Sequence, residues 1–257
     1  MPRFAANLGW LFTEHPFLER FGAAARAGFT AVEFSVPYDH PAEAIAEQLR
    51  AHSLECVLFN VPSGNRAKGD FGLACRPERL HEYREGVATA VEYARILRTP
   101  RVNVIAGLVR ADDDPRDLHS TFVSNLRYTA RELAAAGVQM MIEPINDVDN
   151  PGYFFPRNPP AKALLAEVNA PNFSLQCDLY HVAMMGDDPA AVLDELAPII
   201  GHIQFADVPG RGEPGTGKLP LRELFGRIDR LGYAGWTAAE YKPSRRTEDT
   251  LAWMRWC

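Results

Sequence analysis

Short apolar runs alternate with longer amphipathic stretches along the whole chain. Eight of the short apolar runs predict strands at 3–8, 31–36, 56–61, 101–107, 139–144, 174–179, 202–207 and 236–241. Five of the intervening stretches repeat apolar residues at helical spacing and predict helices at 17–28, 41–52, 81–97, 118–137 and 189–200. Gly28 and Gly137 stand where a helix end favours a residue in the left-handed conformation. The pattern is one of strands and helices in alternation.

The alternation of strands and helices is compatible with two α/β folds. Eight strands with helical connections in 257 residues is the number expected of a single (β/α)8 TIM barrel, here spanning residues 1–257. A doubly wound sheet is the second choice, but it usually carries a GxGxxG fingerprint after its first strand, and ANLGWLF has none. A long irregular stretch, 62–79, follows the third strand. We expect it to lie over the carboxyl-terminal face of the barrel and to act as a mobile lid.

Composition and charge narrow the classes of function. The net charge of −6 argues against a nucleic-acid groove and against binding to an anionic membrane. No apolar run approaches the roughly 18 residues that a membrane-spanning helix needs, and the first residues do not form a signal peptide. The cysteines are Cys56, Cys75, Cys177 and Cys257, with neither a CxxC pair nor zinc-site spacing. We therefore expect reduced thiols in a cytoplasmic protein without nucleic-acid or membrane partners, while a homo-oligomer stays open.

Oxygen-bearing side chains stand at the ends of the last four predicted strands. They are Glu143, Asp178, Gln204 and Glu240, separated by 35, 26 and 36 residues. Because the carboxyl ends of the strands of a barrel meet at one mouth, these side chains should converge there. Three carboxylates so placed would raise one another's pKa values unless a cation lay between them. Three carboxylates and an amide oxygen suit a hard divalent ion such as Mg²⁺ or Mn²⁺.

Each of these residues also has a plainer interpretation. Glu143 and Glu240 could be solvated or paired with a base, Asp178 could cap the turn after it, and Gln204 could serve only as a hydrogen-bonding side chain. What favours the metal site is that all four fall in phase with the strands. His202 is interpreted as structural and is expected to face away from Gln204.

Two further stretches could bind a substrate anion. The segment RGEPGTG, 211–217, follows the seventh strand, and its glycine N–H groups together with Arg211 could hold a carboxylate. An ordinary flexible connector is an equal alternative. Lys242 comes two residues after Glu240 and would share its side of the strand if the strand continued, although lysines at strand ends are usually solvated.

Ten segments carry a resemblance to a known family. They are MPRFAANL, FTEHPFLERF, AGFTAVEF, LFNVPSG, GLACRP, NLRYTA, IEPIN, QCDLYH, HIQFADVPGRGEPGTG and WTAAEYKP. Together they resemble the hydroxypyruvate isomerase family, which belongs to the sugar isomerase/epimerase superfamily of xylose-isomerase-like TIM barrels, from residue 1 to about 255. The combination of IEPIN, RGEPGTG and EYKP is more specific than any one of them. Members of the family often have Glu where this chain has Lys218, a position outside the expected site.

The resemblance implies a role for each candidate residue. The implied metal ligands are Glu143, Asp178, Gln204 and Glu240, holding Mg²⁺ or Mn²⁺. Glu143 and Glu240 are also the implied pair of acid/base residues. In related epimerases a substrate-facing histidine follows the metal-binding aspartate by three residues, which His181 matches. Arg211 is the nearest match to an arginine that contacts substrate after strand seven.

The implied reaction is the isomerisation of hydroxypyruvate, a small 2-oxo acid, to tartronate semialdehyde through an enediolate. The 2-oxo-tetronate isomerase branch shares the glutamates and the metal site, but the forms of IEPIN and RGEPGTG favour hydroxypyruvate. A ketose 3-epimerase is a further alternative. A metal-dependent phosphodiesterase is less favoured, because its multi-zinc site needs a histidine cluster and the seven histidines here are scattered. A sugar-acid binding protein would not need two acid/base glutamates.

Overall fold

The computed structural model describes residues 2–256 and contains a closed barrel of eight parallel strands, each paired with its neighbours in sequence order and the first with the last. The strands are β1 Arg3–Asn7, β2 Ala31–Phe34, β3 Glu55–Asn60, β4 Arg101–Val104, β5 Gln139–Ile142, β6 Phe173–Asp178, β7 Ile200–Phe205 and β8 Trp236–Ala239. All eight predicted strands and the barrel fold are confirmed. Met1 and Cys257, the ends of the expected domain, lie outside the described residues.

Helices connect the strands on the outside of the barrel. They are α1 Phe17–Arg26, α2 Ala42–Ala51, α3 Leu80–Leu97, α4 Pro115–Ala134, α5 Ala161–Val168, α6 Leu179–Met184, α7 Pro189–Leu196 and α8 Leu221–Arg230. Short 3₁₀ helices occupy Arg66–Lys68, Pro77–Arg79 and Ala197–Ile199, and a longer one, Thr247–Arg255, follows β8. The five predicted helices are confirmed, but the helix expected over 189–200 ends at Leu196, and β7 begins at Ile200.

Local sequence sets several helix ends. Asp114 and Asp188 cap α4 and α7 by accepting hydrogen bonds from backbone N–H groups two residues later, and a proline follows each cap. Gly28 and Gly137 adopt φ values of +95° and +71° just after α1 and α4, as predicted. The capping aspartates and the glycines thus set the residues at which these helices begin or end.

The strand predicted over 101–107 ends at Val104, and the reason lies in the hydrogen bonds of Ala106. Its N–H donates to the Tyr153 hydroxyl at 3.0 Å, and its carbonyl accepts from the Cys75 N–H at 2.8 Å. Both groups are therefore bonded to loops and not to a neighbouring strand. These two hydrogen bonds connect the segments after β3 and β5 to the segment after β4, at the carboxyl-terminal mouth.

The barrel interior changes from apolar to polar along the strands. A small cluster of Ala5, Ala31, Val57, Trp236 and Ala238 fills its amino-terminal part. Because alternate residues of a strand share a face, the residues two positions further on also point inward. They include Asn7, Glu33 and Glu240, all buried. A layer of buried polar groups thus lies directly above the apolar floor.

A larger apolar core lies between the strands and the helices. Phe4 on β1 packs edge-to-face against Phe205, Phe225 and Trp253, with ring centroids 5.9, 5.0 and 5.0 Å away. Cys56, Cys75 and Cys177 are buried free thiols, whereas Cys257 lies outside the described residues. Among residues 2–256, no helix has the length and hydropathy needed to cross a membrane.

Candidate active site

A cavity of about 570 Å³ opens at the carboxyl-terminal end of the barrel. Its walls contain six of the seven residues that the sequence singled out. These are Glu143, His181, Gln204, Arg211, Glu240 and Lys242. The seventh, Asp178, is 1% exposed and ion-pairs with Arg211 directly beneath the cavity surface. The sequence therefore identified a set of residues that the fold brings together.

Glu143 follows β5 and is held from two sides. Its Oε2 atom accepts a hydrogen bond from Asn103 Nδ2 at 3.2 Å, and its backbone carbonyl accepts one from the Tyr153 hydroxyl at 3.3 Å. Its Oε1 atom lies 3.6 Å from His181 Nε2. The carboxylate is 5% exposed. One oxygen is thus fixed by Asn103 while the other faces His181 in the site.

One nitrogen of Arg211 bridges two of the other acidic residues. Arg211 Nη2 lies 3.0 Å from Asp178 Oδ2 and 2.9 Å from Glu240 Oε2. The second contact is an ion pair without hydrogen-bond geometry, so Glu240 Oε2 is a buried oxygen that accepts no hydrogen bond. The other oxygen of Asp178 caps α6 by accepting from Tyr180 N–H at 2.9 Å. One oxygen of Asp178 and one of Glu240 therefore converge on the same point.

The carboxylates disturb one another's protonation. Burial raises the pKa of Glu143 well above its ordinary value, and the nearby charges of Glu240 and Asp178 raise it further. Burial likewise raises the pKa of Glu240 to about 8, against the opposing effect of Arg211. Burial also raises the pKa of Asp178, and Arg211 again opposes the shift. A buried group of acids held by one guanidinium favours binding of a further cation.

The donor set suits a hard divalent cation. Among residues 2–256, Glu143, Asp178 and His181 each offer one ligand atom, and these atoms lie within 4.8 Å of one another. Glu240 Oε2, which accepts no hydrogen bond and lies 2.9 Å from Arg211 Nη2, adds a fourth candidate atom. Carboxylate oxygens are the ligands that Mg²⁺ and Mn²⁺ prefer. The residues present therefore fit such an ion.

The neighbours of His181 favour a donor role over a ligand role. Its Nδ1 atom lies 2.6 Å from Asn146 Nδ2, and this amide is oriented by two hydrogen bonds with Asp149. Two donors face the ring, Asn146 Nδ2 at 2.6 Å from Nδ1 and Arg211 Nη1 at 3.2 Å from Nε2, and a neutral ring accepts from only one of them. The shorter contact assigns the acceptor to Nδ1 and the proton to Nε2. Burial lowers the pKa of His181 well below its ordinary value, and Arg211, whose Nη1 lies 3.2 Å from Nε2, lowers it further. A neutral ring with an Nε2–H group is suited to donate to a substrate oxygen.

Gln204 lies beside Asp178 and is held by two buried partners. Asp178 and Gln204 are register partners on β6 and β7. Gln204 Nε2 donates to Glu33 Oε1 at 2.6 Å, and its Oε1 accepts from Gln176 Nε2 at 2.6 Å. His202 Nε2 lies 2.5 Å from the other oxygen of Glu33. The expectation that His202 faces away from Gln204 is wrong, since residues two apart on a strand share a face.

The loop 211–217 is organised by an internal carboxylate. Asp207, fully buried, accepts hydrogen bonds from the N–H groups of Val208, Gly215, Gly217 and Leu219 at 2.8–3.0 Å. A Cβ atom on Gly217 would stand 2.5 Å from Asp207 Oδ1, so glycine is needed for this approach. The expectation that these glycines hold a substrate carboxylate is wrong for Gly215 and Gly217, whose N–H groups are already bonded to Asp207.

The long loop after β3 contributes to the cavity through its first half. Ser63, Arg66 and Phe71 line the wall, and the Arg66 guanidinium stacks over the Phe71 ring at 4.1 Å. The second half is anchored by Arg76, which is 4% exposed and bonded to Asp113, Glu78 and the Leu108 carbonyl. The predicted position over the mouth is confirmed. The predicted lid motion stays a prediction, and the first half is also tied to the second by an ion pair between Asp70 and Arg79 at 3.2 Å.

Sequence reasoning missed several buried polar residues around the site. They are Glu33, Asn103, Asn146, Tyr153 and Gln176. A signal existed for Glu33, since a charged residue flanked by apolar neighbours in a predicted barrel strand must find partners. Asn146 stands three residues after Glu143 in IEPIN, and its role depends on a contact with His181 that the sequence does not reveal.

Comparison with known proteins places the chain among isomerases of this fold. The sequence profile of the xylose isomerase-like TIM barrel family matches residues 21–257. A 2-oxo-tetronate isomerase of Cupriavidus necator is 44% identical over 255 residues, which cover 99% of this chain and 98% of the relative. A hydroxypyruvate isomerase of Escherichia coli is 42% identical over 254 residues, again 99% and 98% of the two chains. The two kinds of relative thus differ by only two percentage points of identity, 44% against 42%.

Solved structures agree with the fold. A structure from Brucella melitensis, described as an AP endonuclease of family 2, superposes with a TM-score of 0.96 at 42% identity and covers 99% of this chain and 98% of the other. A 3-keto-D-glucoside 4-epimerase from Escherichia coli superposes with a TM-score of 0.85 at 18% identity over the full length of both chains, which is a likeness of fold alone. Since the family profile and these relatives cover nearly the whole sequence, this chain belongs to the xylose isomerase-like TIM barrel family.

Proposed function

We propose that this protein is a metal-dependent isomerase that interconverts hydroxypyruvate and tartronate semialdehyde through an enediolate. The observation that carries the proposal is the position of Glu143 and Glu240, two buried glutamates that line one cavity from β5 and β8. Binding alone needs no such pair, whereas moving a proton between adjacent carbons needs one group to remove it and one to return it. The relatives named hydroxypyruvate isomerase and 2-oxo-tetronate isomerase support the same class of reaction.

The proton movements follow from the side chains. One glutamate removes a proton from the hydroxymethyl carbon, and the resulting charge spreads over the two neighbouring oxygens of the enediolate. The other glutamate delivers a proton to the former carbonyl carbon. A proton must also pass from the hydroxyl oxygen to the carbonyl oxygen. The Nε2–H group of His181, beside Glu143 and Asp178, can donate its proton to the carbonyl oxygen and take up the proton that the hydroxyl oxygen releases. No oxidant or reductant is consumed, because the reaction only relocates hydrogen within the substrate.

Glu143, Asp178, Gln204 and Glu240 would hold the metal ion, Mg²⁺ or Mn²⁺. When bound, such an ion stabilises negative charge on the enediolate oxygens. Asp178 can offer only Oδ2, because Oδ1 caps α6. Gln204 can offer the second lone pair of Oε1, because a carbonyl oxygen accepts twice and Gln176 uses one position. Asp178 and Gln204 have only this binding role in the proposal.

The substrate carboxylate needs a cation that is not already paired. Arg211 lies against Asp178, Glu240 and His181, so substrate would have to replace one of these contacts to bind it. Lys242 and Arg66 line the same cavity, are exposed, and form no ion pair among the described residues. We therefore assign the carboxylate to Lys242, with Arg66 as an additional partner that the sequence did not suggest. A cytoplasmic location, in line with the free cysteines, belongs to the same proposal.

The second candidate is a 2-oxo-tetronate isomerase. The observations that favour it are the 44% identity to the Cupriavidus necator relative of that name and a cavity of about 570 Å³, which has room for a fourth carbon. The same glutamates would serve, since the proton moves between the same two carbons. A ketose 3-epimerase is less favoured, because a sugar without a carboxylate gives Lys242 and Arg66 no partner.

The test is a substrate screen of purified protein with Mg²⁺ or Mn²⁺ on hydroxypyruvate, 2-oxo-tetronates and free ketoses, followed by proton NMR in D₂O. An isomerase should incorporate deuterium at the carbon that receives the proton and should prefer the acids. Turnover of a DNA phosphodiester, or binding of sugar acids with no exchange of hydrogen, would instead support the phosphodiesterase or the binding protein.

Variants then separate proton transfer from metal binding. Glu143→Gln and Glu240→Gln keep an oxygen ligand but remove the base, so each should lower kcat by roughly 10²–10⁴-fold at saturating metal. Asp178→Asn should be partly rescued by excess Mn²⁺, because it loses mainly affinity. Metal content is measured on every variant. Near-wild-type turnover by metal-loaded Glu143→Gln and Glu240→Gln would show that neither glutamate carries the proton.

A further inference from the structure

Glu33 is a buried charge that the proposed reaction does not use. It lies on β2, is fully buried, and has no access to the cavity wall that substrate would touch. Three side chains direct polar hydrogens at its two oxygens. Asn7 Nδ2 donates to Oε1 at 2.8 Å, Gln204 Nε2 donates to Oε1 at 2.6 Å, and His202 Nε2 lies 2.5 Å from Oε2. Burial of a carboxylate costs free energy, and three side chains are arranged here to offset that cost. The contacts that Glu33 makes therefore indicate its role.

The contact with Gln204 constrains a side chain that otherwise has two nearly equivalent orientations. The two ends of a glutamine amide differ in chemistry but hardly in shape, so only hydrogen-bonding partners decide which end points where. Gln204 presents Nε2 to Glu33 Oε1 at 2.6 Å, and at the other end of the amide Oε1 accepts from Gln176 Nε2 at 2.6 Å. The oxygen is then forced to the opposite end of the amide, on the side of β6, which carries Gln176 and Asp178.

The backbone supports this arrangement at both partners. The register between β2 and β3 shifts between Val32 and Glu33, and that between β6 and β7 shifts between Leu175 and Gln176. Irregularities of this kind re-aim a side chain and are over-represented beside active sites. Glu33 and Gln176, the two hydrogen-bonding partners of Gln204, are therefore the residues at which these strands depart from regular pairing.

We propose that Glu33 is a positioning residue of the metal site, which fixes the amide of Gln204 so that its oxygen and not its nitrogen faces the cation. The inference rests on the proposed function, in which Gln204 is a ligand. Asn7 and His202 in turn orient Glu33. His202 meets Glu33 through Nε2, which lies 2.5 Å from Oε2, whereas its Nδ1 has no hydrogen-bond partner. Outer contacts of this kind hold ligands in place in many metal sites.

A double-mutant cycle on Mn²⁺ affinity tests the proposal without any measurement of turnover. Glu33→Asp keeps the charge but withdraws the carboxylate by one methylene, which breaks the contact with Gln204. We expect it to weaken Mn²⁺ binding roughly 10–100-fold, measured by electron paramagnetic resonance of the free ion. Gln204→Met removes the ligand itself. If Glu33 acts through Gln204, adding Glu33→Asp to Gln204→Met should cause no further loss.

Two controls make the outcome decisive. Glu33→Gln matches the size of Glu33, retains one acceptor oxygen for Gln204 and removes the charge, so it should lose less affinity than Glu33→Asp. A larger loss in Glu33→Gln, or an equal loss from Glu33→Asp with and without Gln204, would overturn the inference, because charge or general packing would then be responsible. Failure of the wild-type protein to bind Mn²⁺, or full affinity in Gln204→Met, would instead contradict the proposed metal site.

A second measurement uses the wild-type protein and does not depend on folding of a variant at position 33. The side-chain amide protons of Gln204, assigned by their loss in Gln204→Met, should exchange slowly with water because Glu33 accepts from Nε2 in a buried site. This protection should persist when Mg²⁺ is added. Fast exchange in the Mg²⁺ form would mean that Glu33 does not hold the amide when metal is bound, and would also overturn the inference.

Discussion

Arg211 donates a hydrogen bond from Nη2 to Oδ2 of Asp178 at 3.0 Å, in a place where the side chain of Arg211 is 12% exposed and that of Asp178 is fully buried. The same guanidinium stacks between the rings of Trp10 and Tyr180, with its carbon 4.9 and 4.8 Å from their centroids. A buried carboxylate without a cation is costly. Arg211 therefore compensates the acidic site from inside the protein.

The first prediction concerns this compensation. Arg211→Met should lower the free energy of unfolding of metal-free protein by about 3–5 kcal/mol, because it leaves Asp178 and Glu240 without a counter-charge. Saturating Mn²⁺ should restore much of the loss, since the ion binds the folded state and supplies the missing charge. Urea unfolding with and without Mn²⁺ measures both quantities.

The control for Arg211→Met is Arg227→Met, which removes a surface ion pair with Asp194 and should change stability by less than about 1 kcal/mol in either condition. Equal destabilisation of Arg211→Met with and without Mn²⁺ would mean that packing on Trp10 and Tyr180, and not charge, explains the role of the arginine.

The second prediction concerns recognition of the acid. Lys242→Met and Arg66→Met should each raise KM for 2-oxo acids several-fold with a smaller change in kcat, because their contact with the carboxylate would be made equally in the bound substrate and in the transition state. Lys218→Met is the matched control, since Lys218 is exposed and lies outside the cavity. If KM stays unchanged in both cavity variants, the carboxylate is bound elsewhere. Arg211 then becomes the better candidate, with the substrate carboxylate replacing one of its present partners.

The third prediction concerns the Asp207 carboxylate. Asp207→Asn replaces an acceptor of four backbone N–H groups by an amide with one acceptor oxygen, so at least one buried N–H group loses its partner. We expect a loss of about 2–3 kcal/mol in the free energy of unfolding. Asp112→Asn, at an exposed position, should be neutral. Because the loop that Asp207 organises begins at Arg211, activity should fall as well, and a fully active and stable Asp207→Asn would contradict the structural role.

The fourth prediction is a dependence of stability on pH. Hydrogen bonds from Arg76 hold the pKa of Asp113 below its ordinary value. A carboxyl whose pKa is lower in the folded state stabilises the protein above the unfolded pKa, about 3.9, and this contribution is lost as pH falls through the folded value. Asp113→Asn should therefore be less stable than the wild type at pH 7 and approach it below about pH 3. A constant difference in Tm across this range would contradict the assignment.

The sequence predicted the barrel and the convergence of the candidate residues at its mouth because both depend on periodic features. Strand ends fall at regular intervals, and polar residues at those ends must share the mouth of a closed barrel. Glu143, Asp178 and Glu240 were found in this way. The orientation of each side chain could not be found, because it depends on contacts between residues far apart in the chain. Examples are Asn146 against His181, Glu33 against Gln204, and Asp207 against the loop that was expected to bind substrate.

Pairing of β1 with β8 has a consequence for biosynthesis. Until the ribosome has made residues 236–239, β1 and β7 both present open edges, and Phe4 lacks the ring of Trp253, which is made later still. Glu240, the second proton carrier in the proposal, follows this last strand directly. A nascent chain that already contains Glu143, Asp178 and Gln204 therefore lacks part of the proposed site and exposes unpaired strand edges. Pairing of β8 with β1 and β7 closes the barrel. It removes the open strand edges and brings Glu240 to the proposed site.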